Sequence, residues 1–292
     1  MTVELRAPTP ADADACGDII YRAFRGVAEQ FNMPFDFATP EVATGFARML
    51  TTPGSGFFGV IAEENGRVVG SNFLDERTPV GGVGPVTVDP QCQSRGIGRR
   101  LMEAILHHAK SQNAASVRLV QEAYNAVSMS LYTSLGFDTK EPLALMSGRP
   151  KSRATGAGHV RSMEEYDLAQ CATLCRKIHG YDRTGELRGT LAAKMFRPYV
   201  LERHGRVVAY ASGPEFFVLN HGVAETQQDL QELLLGAAMQ NDKPLSMLVP
   251  TRRSDLFRWC ISEGLRVMKP MTLMSMGDYR EPAGAFYPSV EF

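Results

Sequence analysis

Four short segments of the first half of the chain recur in the same order in the second half, and this repeat constrains the fold more than any other feature. Residues 64–70, Glu-Asn-Gly-Arg-Val-Val-Gly, recur at 203–209 as Arg-His-Gly-Arg-Val-Val-Ala. The segments 6–12, 135–137 and 142–147 have counterparts at 161–167, 263–265 and 270–275. One such match is expected by chance, but four in one order predict a tandem repeat of a single fold.

The length and one polar stretch predict where the two copies meet. The chain has 292 residues, which exceeds the usual size of one domain. Residues 149–158, Arg-Pro-Lys-Ser-Arg-Ala-Thr-Gly-Ala-Gly, are small and polar and show neither helical nor strand periodicity. We therefore predict a first domain over 1–148, a linker over 149–158 and a second domain with a C-terminal tail over 159–292.

Composition excludes several classes of function. A formal net charge of −1 lacks the basic surplus of sequence-independent nucleic-acid binders. No apolar run is long enough to span a membrane, and the N-terminus does not resemble a secretory signal. The five cysteines are scattered without the spacing of a metal site, so we expect free thiols in a reducing cytoplasm and no bound metal. They are Cys16, Cys92, Cys171, Cys175 and Cys260.

The pattern of the first half predicts a mixed α/β fold, in which a central mixed β-sheet is flanked by helices. The Asn-Gly at 65–66 is typical of a hairpin turn between two β-rich runs. The predicted strands are 3–6, 57–63, 67–74, 83–88, 116–121 and 143–147. The predicted helices are 10–24, 40–50, 94–113 and 125–135.

A glycine-containing loop precedes the third of these helices, where residues 93–98 read Gln-Ser-Arg-Gly-Ile-Gly. The N–H groups and the dipole of a helix N-terminus suit an anionic group such as a diphosphate. Gly96 and Gly98 allow the backbone to approach such a ligand closely. The third glycine of the dinucleotide-binding fingerprint and the lysine of a P-loop are both missing. Nearby arginines are expected to add charge-assisted contacts to phosphate, namely Arg95, Arg99 and Arg100.

This loop resembles the acetyl-CoA signature of the GNAT (GCN5-related N-acetyltransferase) superfamily, Gln/Arg-x-x-Gly-x-Gly/Ala, at every defined position. Residues 125–137 are similar to the second landmark of that family, Asn…Leu-Tyr-x-x-Leu-Gly-Phe, and follow in the order typical of the family. The two motifs together identify the chain as a member of the superfamily. With the repeat, the resemblance implies two tandem GNAT-like acyl-CoA N-acyltransferase domains.

The resemblance implies an acetyl-CoA-dependent N-acetyltransferase that moves an acetyl group to a primary amine by direct attack in a ternary complex. The strands around 86–88 and 119–121 are expected to splay apart and hold the pantetheine arm of coenzyme A. Tyr132 is expected to be the general acid that protonates the departing thiolate. The expected cofactor-binding residues are Val86, Thr87, Val88, Gln93, Ser94, Arg95, Gly96, Ile97, Gly98, Arg99, Asn125 and Tyr132.

The general base has no fixed place in the motifs. Glu122, directly after the strand that faces the cofactor, is the first candidate, and Asp75 and Glu76 are alternatives. On the helix that carries Tyr132, we expect Val127 and Leu131 to point toward a core.

The second half lacks the features that carry this chemistry. After a strand expected at 216–219, no Gln-x-x-Gly-x-Gly appears, and Glu225 and Asp229 would repel a diphosphate. The position that matches Tyr132 is Cys260. We therefore predict a degenerate GNAT-like domain. The aromatic and proline-rich tail, 279–292, is expected to cross back onto the first domain.

Two alternatives remain open from the sequence. The chain could be a non-catalytic acetyl-CoA sensor, although a sensor needs no proton donor such as Tyr132. It could also be an N-acyltransferase that uses another acyl-CoA. The acceptor is expected to be a small-molecule amine, because two packed domains form an enclosed pocket more readily than an open peptide groove. The oligomeric state is not readable from the sequence.

Overall fold

The computed structural model describes residues 3–154, 156 and 158–291, and its contacts divide the chain into two units. The first unit comprises the residues up to 119 together with 124–137, and the second comprises 120–123 and the residues from 138 onward. The contacts thus group 138–148 with the second unit, and the domain bounds 1–148, 149–158 and 159–292 stay predictions. Thr155 and Ala157 of the predicted linker, and Phe292 of the tail, lie outside the described residues.

The first unit is a mixed sheet with helices on both faces, as predicted. Strands β1, β2 and β3 are antiparallel neighbours, and β4 pairs antiparallel with β3 and parallel with β6. The elements are β1 (Glu4–Arg6), α1 (Ala13–Phe31), α2 (Pro40–Thr51), β2 (Phe57–Glu64), β3 (Arg67–Asp75), β4 (Val80–Val83), β5 (Thr87–Val88), α3 (Ile97–Ser111), β6 (Ser116–Glu122) and α4 (Ala126–Ser134). Helix α1 continues past its predicted end at 24 to Phe31 and stops where Asn32 adopts a left-handed φ of 53°.

Alternate residues of β3 face opposite helices, as the period of a strand requires. The Asn72 side chain lies 3.3 Å from the sulfur of Met102 in α3. A Cβ added at Gly70 would lie 3.2 Å from Leu101 of the same helix. Ser71, between them, lies on the opposite face, and helix α1 also packs against β3. The core of the first unit therefore lies on both sides of β3.

The predicted strand 83–88 is interrupted by a β-bulge. Gly84 donates its N–H to the carbonyl oxygen of Phe73 at 3.0 Å, and Thr87 is the partner of Ser71. Asn72 of β3 therefore faces two residues, 85 and 86, which is the count of a bulge. The pairing of β4 with β6 is recorded over 80–82 and 116–118, whereas β5 pairs with β3. Among the described residues, the edge of β5 that faces away from β3 therefore does not take part in the pairing with β6.

The second unit contains a five-stranded antiparallel sheet and a separate group of long strands. Its elements are β7 (Asp138–Gly148), β8 (His159–Ser162), α5 (Leu168–His179), α6 (Thr184–Ala193), β9 (Tyr199–Arg203), β10 (Arg206–Ala211), β11 (Gly222–Ala224), α7 (Gln227–Gln240), β12 (Leu245–Pro250), α8 (Ser254–Ser262), β13 (Arg266–Gly277) and β14 (Ala285–Tyr287). The sheet has the order β14-β11-β10-β9-β8, and β7 lies between β13 and β12. The strand predicted at 216–219 is wrong: this segment forms turns, and the strand begins at Gly222.

The same network of ion pairs occurs in each unit, which confirms the predicted repeat. Arg6, at the end of the first strand, binds Asp12 at 2.7 Å and Glu63 at 2.6 Å. The second unit has the equivalent bonds, at 2.7 and 2.9 Å, among Arg161, Asp167 and Glu202. The matching arginine and aspartate belong to the repeated segments 6–12 and 161–167.

We predict that Asp12→Asn destabilises the protein at neutral pH and has little effect in acid. The guanidinium of Arg6 lowers the pKa of Asp12 from 3.8 to about 2. A carboxylate with a lowered pKa stabilises the fold above its unfolded pKa, and this contribution is lost as the pH falls toward 2. We expect a loss of about 1–2 kcal/mol at pH 7, after allowance for the partly exposed arginine. Thermal unfolding of both proteins at pH 7 and pH 2.5 measures this difference.

Asp14→Asn is the matched control. The Asp14 carboxylate is exposed and lies 3.4 Å from the exposed Arg48. Exposed pairs contribute about 0–1 kcal/mol, so this variant should unfold close to wild type at both pH values. An equal effect of the two substitutions, or one that grows in acid, would contradict the prediction.

Candidate functional site

The loop between β5 and α3 exposes backbone donors at the start of a helix. Residues 93–96 are exposed, and both Ser94 and Gly96 are left-handed, with φ values of 63° and 78°. Apart from its neighbours in the chain, none of the described residues has an atom within 4 Å of the position of a Cβ at Gly96. The N–H groups of residues 97–99 precede the first intrahelical bond, which runs from Arg100 to the Gly96 carbonyl at 3.2 Å. Open space beside free helix N–H groups fits an anionic group such as a diphosphate.

The strand that leads into this loop presents alternate residues. Val86 and Val88 are half-buried, whereas Thr87 is buried with its hydroxyl 3.1 Å from that of Ser71. Gln93 donates its side-chain N–H to the Val88 carbonyl at 3.3 Å and thereby closes the loop. Asp89 donates its N–H to the Val69 carbonyl at 2.9 Å, and hydrogen-bonded pairs alternate along an antiparallel ladder, so Thr87 also directs its backbone groups to β3. The two valines are thus the residues of this strand that a ligand could contact.

The arginines near the loop have different partners. Arg95 forms an exposed ion pair with Glu64, at 3.0 Å. Exposed ion pairs stabilise a protein little, so this guanidinium can exchange its partner for phosphate. Arg100 donates to the backbone carbonyl of Val3 at 2.8 Å. Its guanidinium is therefore engaged with the backbone next to β1, and the expected phosphate contact of Arg100 finds no support.

Helix α4 packs beside the start of α3. Arg99 donates to the Ser134 hydroxyl at 2.6 Å, and the Cβ position of Gly98 is 3.7 Å from the Leu131 side chain. Both contacts involve the last turns of α4. Val127, near the other end, is 82% exposed, so the expectation that it points toward a core is wrong. Of the nine described residues of α4, Tyr132 alone is buried.

The two predicted site residues of this segment have structural roles as well. Asn125 is the N-cap of α4, where its side-chain oxygen accepts the Ser128 N–H at 3.2 Å. The Tyr132 ring packs edge-on against Phe137, with 6.2 Å between ring centroids. The contacts of α4 with α3 thus lie beside Tyr132, whereas Asn125 lies at the other end of α4.

Asp89 is a residue whose importance the sequence analysis missed. Its fully buried carboxylate binds Arg22 of α1, at 3.1 Å, and Arg67 of β3, and it accepts the Gln91 N–H at 3.0 Å. The hydrogen bond from Arg22 holds the pKa of Asp89 below its usual value. Asp89 thus fixes the point where β5 ends and the loop begins. The only signal in the sequence is an Asp-Pro pair directly before the loop.

Each of the three carboxylates predicted as general base has a partner. Glu122 is buried in the second unit, and its Oε1 accepts from the Lys269 ammonium at 2.6 Å. Asp75 accepts from an arginine at 2.8 Å, and Glu76 lies 2.9 Å from a histidine nitrogen. These last two partners are Arg77 and His108.

The equivalent helix start in the second unit is closed by its own side chains. At the N-terminus of α7, Thr226 accepts the Asp229 N–H at 3.1 Å, and the Asp229 carboxylate binds Arg203 at 2.9 Å. Glu225 accepts from Arg206 at 2.9 Å. Cys260, the counterpart of Tyr132, is fully buried. The carboxylates of Glu225 and Asp229 therefore lie at the start of α7, whereas the start of α3 in the first unit exposes backbone N–H groups.

The described part of the chain shows two further features. It contains no cluster of three potential metal ligands, and all five cysteines are buried free thiols. No helix among the described residues has both the length and the apolar composition needed to cross a membrane.

The first unit thus combines a bulged strand, a glycine loop at a helix start and a buried tyrosine on the adjoining helix. Residues 20–137 match the model of the acetyltransferase (GNAT) family, and this part of the chain is similar to that family. A mycothiol acetyltransferase of Amycolatopsis mediterranei is 35% identical over 149 residues, which are 48% of this chain and 47% of the relative. The chain spans less than half the length of the first curated relatives that it matches.

Solved structures confirm the tandem fold. A protein from Pyrococcus horikoshii, assigned as an acetyltransferase, matches 99% of this chain and 94% of its own, with a TM-score of 0.73 and 18% identity. A tandem GNAT protein from the clavulanic acid biosynthesis pathway matches 94% of this chain and 98% of its own, with a TM-score of 0.59 and 12% identity. At these identities the likeness concerns the fold.

We predict that Asn125→Ala lowers stability, because α4 loses its cap. Loss of an N-cap costs about 0.5–2 kcal/mol. Asn125→Ser keeps a capping oxygen and should unfold close to wild type. Thermal unfolding of the three proteins tests the cap. Equal stability of Asn125→Ala and wild type would show that the side chain does not hold the helix.

Proposed function

We propose that the first unit is an acetyl-CoA-dependent N-acetyltransferase that transfers an acetyl group to a primary amine in a ternary complex. The observation that carries this proposal is the loop at 93–98, whose free helix donors and left-handed Gly96 form an anion cradle within the segment that matches the GNAT family. The family match alone supports the class of protein, whereas the cradle supports binding of the cofactor by this chain.

Acetyl-CoA supplies the activated acetyl group as a thioester. In our proposal the N–H groups at the start of α3 bind its diphosphate, and Arg95 and Arg99 add charge-assisted contacts. The open edge of the bulged segment at 86–88 offers backbone groups to the pantetheine arm. The remaining contacts come from the residues predicted for the site, Gln93, Ser94, Gly96, Ile97, Gly98, Asn125 and Tyr132.

Tyr132 is proposed to be the general acid. The acceptor nitrogen forms the new C–N bond while the C–S bond breaks, and the sulfur leaves with the electron pair of that bond. The phenol of Tyr132 donates a proton to this sulfur, and the amine loses a proton to a base. A buried tyrosine on the helix that adjoins the cradle is consistent with this role.

The acceptor is proposed to be a small-molecule amine. Curated relatives that cover part of this chain carry the name mycothiol acetyltransferase, which describes acetyl transfer to a small molecule. The net charge of −1 offers no basic surplus for a polyanionic acceptor. The cytoplasmic location stays a prediction.

The second unit is proposed to carry no catalytic site. Its helix start presents Glu225 and Asp229, and Cys260 is buried at the position of the proton donor. Like charges near a diphosphate oppose its binding.

The central test is thiol release from acetyl-CoA over a panel of amines. Gly96→Glu places a carboxylate in the cradle and should abolish cofactor binding and turnover. Tyr132→Phe should bind acetyl-CoA as wild type does, but lower kcat by about 10²–10⁴-fold because the proton donor is lost. Tyr124→Phe removes the same atom from a neighbouring tyrosine that packs on Phe31, and it should keep wild-type activity.

Three results would contradict the proposal. If acetyl-CoA does not bind, or if it binds without turnover on any amine, the first unit is not an acetyltransferase of this kind. If Tyr132→Phe and Tyr124→Phe have the same kcat, Tyr132 is not the acid.

For the general base we propose Glu122, a buried carboxylate whose Oε1 accepts from the Lys269 ammonium at 2.6 Å. Glu122→Gln should lower kcat by about 10²-fold or more with an unchanged KM for acetyl-CoA, and remove the acidic limb of the pH–rate profile. Glu141→Gln is the matched control, because Glu141 is also a buried carboxylate of the second unit that pairs with an arginine, Arg252, at 3.6 Å. Equal losses in the two variants, with the acidic limb intact, would mean that Glu122 is only structural.

A further inference from the structure

The C-terminal segment of the chain lies inside the second unit as an additional strand. β14 pairs antiparallel with β11, through Gly222–Tyr287, Val223–Phe286 and Ala224–Ala285. β11 pairs with β10 on its other edge, and β14 also lies against β12. The expectation that the tail crosses back onto the first domain is therefore corrected, because its backbone hydrogen bonds are made within its own unit.

The position of β14 has a counterpart in the first unit, because the two units share the same order of elements. The elements β9, β10, β11, α7 and β12 repeat the order of β2, β3, the β4–β5 strand, α3 and β6. In the first unit, β3 is the only strand that pairs with β5 among the described residues. In the second unit the corresponding edge of β11 is taken by the tail. The same edge of the fold is thus open in one unit and occupied in the other.

The aromatic side chains of β14 are buried. Tyr287 and Phe286 are 0% and 2% exposed. The Tyr287 hydroxyl donates to the Asn220 side chain at 3.0 Å. A Cβ at Gly222 would lie 2.3 Å from the Tyr287 ring, so the glycine on β11 makes room for this ring. The surface of β11 and the Tyr287 ring are therefore complementary in shape.

Backbone and charged groups hold the tail on both sides of β14. The N–H groups of Ala283 and Val290 donate to the carbonyls of Ile178 and Val218, at 2.8 and 3.0 Å. Arg183, which is fully buried, donates to the Ser289 hydroxyl at 3.0 Å. Arg253 binds the Pro282 carbonyl at 2.7 Å. Residues from four separate parts of the unit therefore bind a segment of nine residues.

Little space is left beside the tail at the helix start. The cavity bounded by Thr226, Arg253 and Phe286 has a volume of about 190 Å³. Small-molecule sites usually measure roughly 300–1,000 Å³. The tail therefore leaves too little room for a coenzyme A molecule at this edge.

We infer that the second unit contains a strand-accepting cleft whose ligand is the C-terminal segment of the chain, residues 282–291. The segment binds by β-augmentation, in which backbone hydrogen bonds give affinity and buried side chains give specificity. It occupies the edge that the first unit leaves open to acetyl-CoA. The cleft of the second unit is a peptide site in this chain, closed to acyl-CoA.

Hydrogen–deuterium exchange on the full-length protein tests the inference. The β14 and β11 amides should exchange at least about 100-fold more slowly than those of an unstructured peptide. Phe286→Ala/Tyr287→Ala should accelerate exchange in β14 and also at residues 222–224, whose partner is lost. Added peptide 282–291 of wild-type sequence should restore protection of β11, and a peptide with both aromatic residues replaced by alanine should not.

Tyr287→Phe covers the case in which the double variant fails to fold, because it removes only the bond to Asn220. It should raise exchange in β14 several-fold, and Tyr166→Phe, at an exposed position of the same unit, should leave it unchanged. Fast exchange of β14 in the wild type, or protection of 222–224 that does not respond to the loss of the tail, would overturn the inference.

A second measurement rests on the proposed function. Equilibrium binding should give one coenzyme A per chain, and a value of two would contradict a cleft closed by the tail. The exchange measurement does not involve acetyl-CoA, so failure of the inference is distinguishable from failure of the proposed function.

Discussion

The candidate site depends on the buried carboxylate of Asp89. A carboxylate without exposure to water is tolerated only when charged partners compensate for its lost hydration, and here Arg22 and Arg67 do so. Because these arginines belong to α1 and β3, the pairs fix the end of β5 to two other elements. The left-handed residues of the following loop, and the helix donors beyond it, are positioned from this point.

The two units show how one frame supports different sites. The ion pairs of Arg6 and Arg161 are equivalent, so the start of each unit is built alike. The units differ at the start of the helix that follows the central strand. The first unit leaves backbone donors open there, whereas the second covers them with Thr226 and Asp229. The two units therefore differ in a few residues at this loop and not in the fold.

Much of the site was predictable because local sequence determines it. A loop that requires a left-handed residue selects glycine, and Gly96 does adopt that conformation. The hairpin at 65–66 and the helix of Tyr132 follow from short-range patterns as well. The strand at 83–88 was predicted as continuous, and its bulge was missed, because the extra residue depends on the register against β3. Val127 was misplaced because a helical pattern does not say where the contact with α3 ends.

The sequence by itself determined the tandem repeat, the alternation of helices and strands, and the loop that resembles an acetyl-CoA signature, since periodicity and turn chemistry act over a few residues. Only the tertiary structure decided the partners of Asp89 and Glu122 and the place of the tail. Arg22 is 67 positions from Asp89, Lys269 is 147 from Glu122, and Asn220 is 67 from Tyr287. Pairings at such separations arise when packed elements bring buried polar groups together, because each of them needs a partner away from water.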